Sequence, residues 1–136
     1  MIYIGNFLHV TNQEEPSEEK RRHGEFNLFV QADSKETAID MFRESIFNYR
    51  NNSRFFEGDC VIYFVELLEF EKFPESEAKI LNYKSIAGDP LMPYIACSVP
   101  SQETDACRIY DWNSNEPEVD GAEKKLFVSF KNDKAA

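Results

Sequence analysis

The chain has 136 residues, 42% of them apolar and twelve of them Phe, with a net charge of −10. That is enough apolar material for one real core, which excludes a disordered chain. The longest apolar run, Val61 to Val65, is far short of the roughly twenty residues a membrane span needs. Met1-Ile2-Tyr3-Ile4-Gly5-Asn6 shows no basic segment ahead of an apolar core, so no secretory leader is expected. Three cysteines, odd and sparse, fit a reducing compartment, and cytoplasm is the default location.

The surplus of acid is uneven. Residues 57–120 hold fourteen acids against Lys72, Lys79, Lys84 and Arg108. Such a field repels nucleic-acid phosphates and attracts cationic partners.

In chain order, Ile2, Ile4, Leu8 and Val10 alternate, interrupted at Asn6, and predict a strand over 2–10. Residues 11–24 are polar throughout and predict a flexible hairpin loop. Phe26, Leu28, Val30 and Ala32 share one face of the next strand, with Glu25, Asn27, Phe29 and Gln31 on the other. Asp33 as cap, with Glu36 three residues on, predicts a helix start. The helix is expected over about 34–50, with Ile39, Phe42, Ile46 and Tyr49 as its apolar stripe, widened by Ala38 and Phe47.

Cys60 to Phe73 predicts a strand whose first half is apolar on both faces and therefore central in the sheet. Its apolar phase switches at Leu67-Leu68, where a bulge is expected. Beyond it, 80–86, 94–99, 107–112 and 125–130 predict short strands, separated by turns at 87–90 and 113–117. Lys131 to Ala136 predicts a frayed tail. The expected fold is α+β: a mostly antiparallel sheet with one amphipathic helix on one face, in order β-β-α-β then short strands. Residues 1–136 read as a single domain.

Chemistry is sparse. A Cys–His nucleophile would need Cys60, Cys97 or Cys107 beside His9 or His23, and no spacing suggests it. The cysteines lack a Cys-x-x-Cys pair, so buried free thiols are favoured over zinc. Asp111-Trp112-Asn113-Ser114-Asn115 opens like a calcium loop, but Glu116 stands where Gly belongs and Ala122 where Glu belongs. Capped turns are the simpler reading. Glu69 and Glu71 would share a strand face, as solvent-facing spacers rather than a catalytic pair. No glycine-rich phosphate loop is present.

These features predict no cofactor, no metal and no catalytic set. The expectation is a non-catalytic acidic module that binds or inhibits a basic protein. Its contact residues would be Glu66, Glu69, Glu71, Asp111 and Glu118, with Leu91, Met92 and Tyr94 on a proline-bounded loop. The alternative is a small-ligand or metal-binding domain. Neither direct nucleic-acid binding nor membrane insertion is expected.

Overall fold

The computed structural model describes residues 1–89, 108–111, 114–119 and 127–131. Two compact units divide the chain, 1–84 and 85–136. In the first, β1 (Ile2–Thr11) and β2 (Arg22–Gln31) pair antiparallel, with Tyr3 opposite Val30, Asn6 opposite Asn27 and Phe7 opposite Phe26. Both strands reach into the polar segment, so the connection is shorter than 11–24. Side chains pin it: Gln13 Nε2 donates to Thr11 O (2.9 Å), and Arg21 Nη1 donates to Glu15 O (2.9 Å) and Pro16 O (3.0 Å).

Helix α1 spans Lys35–Asn52. Its cap is Ser34 rather than Asp33, with Ser34 Oγ accepting from Thr37 N at 3.1 Å. The strand exit decides this: Ala32 N donates to Met1 O, so Ser34 is the residue whose extended backbone turns into the helix. Glu36 in the first turn complements the helix dipole. At the other end α1 outruns Tyr49, because Asn52 Nδ2 bonds back to Asn48 O (3.1 Å) and Oδ1 (2.7 Å). Ser53 closes it, its N–H and Oγ both donating to Tyr49 O.

β3 (Cys60–Phe70) pairs antiparallel with the free side of β1, and the sheet order is β2-β1-β3. The central strand is therefore β1, not β3. α1 lies over β2 and β1 and covers little of β3, so Phe64 on the helix side is 47% exposed, while Val61 (52%) and Tyr63 (55%) stand open on the opposite face. A run that is apolar on both faces was the signal for a central strand, yet here it marks an edge. The bulge is real but earlier than expected. Register slips between Asn6/Glu66 and Phe7/Phe64, leaving Val65 as the extra residue. One residue inserted there returns Phe64 and Leu67 to the helix side of the sheet.

The core is Tyr3, Phe7, Ala38 and Phe42, ringed by Phe26, Leu28, Val30, Ala32, Ile46, Ile62 and Leu67. Phe7 stacks on Phe26 (5.2 Å) and meets Phe42 (5.9 Å) and Phe64 (5.0 Å) edge-on. Gly5 lies beneath: a Cβ there would come within 2.8 Å of the Phe7 ring and 2.9 Å of the Phe42 ring. The loop into β3 is clamped by Asn12, whose N–H donates to Asp59 O (2.8 Å) and whose Oδ1 accepts from Asp59 N (3.0 Å). Gly58 at φ +83 makes that approach feasible.

Residues 71–89 carry no helix or strand, so the strand expected at 80–86 is absent. In the second unit β4 (Arg108–Asp111) and β5 (Ser114–Val119) form an antiparallel pair. The turn expected at 113–117 is mostly strand. Pro117 lacks an N–H, which a two-stranded edge tolerates. Residues 127–131 are exposed and unassigned, and the strand expected at 94–99 lies outside the described residues. The observed class is α+β, with strands and helix in the order read from the sequence. Among the described residues, no helix is long and apolar enough to cross a membrane.

Candidate functional site

Because side chains alternate along a strand, the face opposite α1 carries Ile4, Asn6 and Leu8 of β1 with Glu25, Asn27 and Phe29 of β2. β3 adds Tyr63, Glu66 and Leu68. Asn6 sits opposite both Asn27 and Glu66, so a polar row crosses all three strands among apolar neighbours. Asn6 is only 8% exposed, and its Nδ2 donates to Asn27 Oδ1 at 2.7 Å. Its own Oδ1 is buried and has no hydrogen-bond donor among the described residues. A buried acceptor left unpaired costs about 1–3 kcal/mol.

Over this row runs the segment 81–84, enclosing a cleft of about 460 Å³. Ile4, Phe29, Leu68 and Leu81 wall it, and Glu25, Glu66 and Lys84 are its charged groups. Glu66 Oε1 accepts from Asn82 Nδ2 (3.2 Å) and lies 3.7 Å from Lys84 Nζ. The site is thus a slot with two carboxylates, an orphan carbonyl oxygen and an internal lysine.

Of the contact residues expected from sequence, Glu66 is in this slot. Glu69 stands opposite Tyr3, on the helix side of the sheet, so the structure does not bring it to Glu66. Glu71 lies past the end of β3 and is exposed. Asp111 and Glu118 are in the second unit, paired in register with Ser114 and Ile109. Leu91, Met92 and Tyr94 lie outside the described residues, as do Cys97, Trp112 and Asn113. Sequence reasoning missed Glu25, Asn6 and Asn27 as contact residues. The signal was present: Asn6 is the one interruption in an apolar alternation.

On the helix side, the gap between α1 and β3 forms a second groove of about 500 Å³. Near it, His9 Nδ1 is 3.0 Å from Thr11 Oγ1, and that hydroxyl donates to Cys60 Sγ at 3.5 Å. This is no hydrolase pair, because Thr11 separates imidazole from thiol. Burial holds the His9 pKa below its usual 6.5, and the charges of His23 and Arg22 push it the same way.

The lowered pKa has a stability consequence. Folded His9 resists protonation while unfolded His9 accepts it, so the unfolded chain binds more protons below about pH 6.5. Stability is complete above that pH and falls as pH drops toward the folded pKa. Melting curves between pH 7.5 and 5 should show a steeper loss in the wild type than in His9→Gln. Equal slopes would remove His9 from the buried network.

No protein family, curated protein or solved structure matches this chain.

Proposed function

We propose that the chain is a non-catalytic interaction module that binds a basic protein, with a lysine or arginine of the partner entering the slot over Asn6. One observation supports this most directly. Glu66 already draws in a cation, Lys84 of its own chain, beside a buried Asn6 oxygen that lacks a donor among the described residues. A guanidinium or ammonium entering the slot would replace Lys84 on Glu66 in a charge-assisted contact, with Glu25 as a second carboxylate lining the same slot. The acid surplus of residues 57–120 would steer such a partner and make capture salt-sensitive. The sparse cysteines favour a cytoplasmic setting.

The test is affinity capture from the native cell at low and high salt. The wild-type chain should retain basic proteins at low salt and release them at high salt. Glu25→Gln with Glu66→Gln should weaken capture about tenfold, since Glu66 is partly exposed and the full buried-pair loss does not apply. Glu69→Gln, on the other face, should change little. Lys84→Ala frees the slot and should strengthen capture. Unchanged capture by the double variant at low salt would sink the reading.

A further inference from the structure

The groove between α1 and β3 opens on the opposite face of the sheet and has the opposite charge. In a chain with twenty-five acids and fifteen bases, the charged groups lining it among the described residues are Arg43 and Arg50, with no carboxylate. Its other walls are aromatic and aliphatic, and its volume of about 500 Å³ suits a small ligand. Phe47 on the helix is 63% exposed and Phe64 on the strand 47%. Both rings line the groove from facing elements, so an occupant with apolar surface would take both out of water.

The two arginines are seven residues apart and so lie on one side of α1, about 10 Å along its axis. They differ in readiness. Arg43 pairs with Asp40 at 3.0 Å, but these side chains are 63% and 76% exposed, and so open a contact holds weakly. Arg50 Nη1 donates to Phe56 O and Gly58 O, which fixes the guanidinium and leaves Nε and Nη2 for a ligand. Phe56 lines the same groove in a left-handed conformation (φ 62) that is rare for a bulky residue. A fixed guanidinium fork beside an apolar channel matches a carboxylate on a hydrocarbon chain. A polar ligand would leave its groups unpaired against these walls, and a cation would meet the arginines. A nucleic acid would meet the net charge of −10.

We propose that this groove binds a long-chain carboxylate of the fatty-acid class, its hydrocarbon between Phe47 and Phe64 and its carboxylate on Arg50. The probe is dodecanoate below its micellar concentration, titrated into the full chain by calorimetry and followed by thermal melting. Saturable one-to-one binding with a rise in melting temperature is expected. Hexanoate and dodecyltrimethylammonium should each bind at least tenfold more weakly. Arg50→Gln should weaken dodecanoate binding at least tenfold. Because Arg50 also ties down the 56–58 loop, Phe47→Glu at an exposed position is the cleaner variant and should give the same loss with an unchanged circular dichroism spectrum. Equal binding of the cationic amphiphile, or dodecanoate binding untouched by Phe47→Glu, would overturn the assignment. So would self-association that Phe47→Glu abolishes in a chain that takes up no dodecanoate, since the groove would then be an interface between copies.

Discussion

Phe42→Ala is expected to destabilise the first unit by about 3–5 kcal/mol, the usual cost of emptying a buried aromatic site. Phe42 is 3% exposed, meets Phe7 edge-on at 5.9 Å and covers Gly5. Removing it takes away the main link between helix and sheet in a core of four buried residues. Phe42 also lines the open groove, so its neighbours can relax and water can enter, which favours the lower half of that range. Small domains hold only about 5–15 kcal/mol in all, so the variant should remain folded with little margin. Urea denaturation checks it: the midpoint should fall sharply while the slope stays constant. An unshifted midpoint would mean that the helix does not dock through this ring.

The reason this residue could be named from sequence is its place in a 3.6-residue stripe with a cap before it. The same logic reached β2, where Phe26, Leu28, Val30 and Ala32 alternate cleanly against the core. It failed for β3 because periodicity reports which faces are apolar, not what covers them. The start of β3 is apolar on both faces, yet the helix spans only the other two strands and leaves Phe64 open, while Val61 and Tyr63 face away from it. The groove exists because of that mismatch, and no local pattern encodes it. Glu66 was legible as an acid in an acidic region. Its partners were not, since Asn6 meets it through strand register and Asn82 and Lys84 through a returning segment. The bulge at Val65 was displaced from the expected Leu67-Leu68 for a related reason. A phase switch in sequence appears only after the extra residue has acted.

Gly5→Ala should cost about 1–3 kcal/mol, the range for overpacking a filled core, although Ala favours a strand over Gly. The added methyl would sit 2.8 Å from the Phe7 ring and 2.9 Å from the Phe42 ring, well inside contact distance. Both rings border the groove, but Phe7 is held by Phe26 and Phe64, and Phe42 is tethered by its place on α1, so relief of the clash requires breaking existing packing. The clash with Phe42 yields a sharper test than either single variant. In a Phe42→Leu background the aromatic edge is gone, so the methyl should fit on that side while Phe7 still resists. The double variant should therefore be less destabilised than the sum of the singles, with a coupling of about 1 kcal/mol, within the range found for residues in contact. Additivity would mean that the helix shifts away as a body when Gly5 gains a side chain. The coupled result would instead establish Gly5 as the point where α1 is seated on β1, and with it the position of the groove that α1 leaves open beside β3.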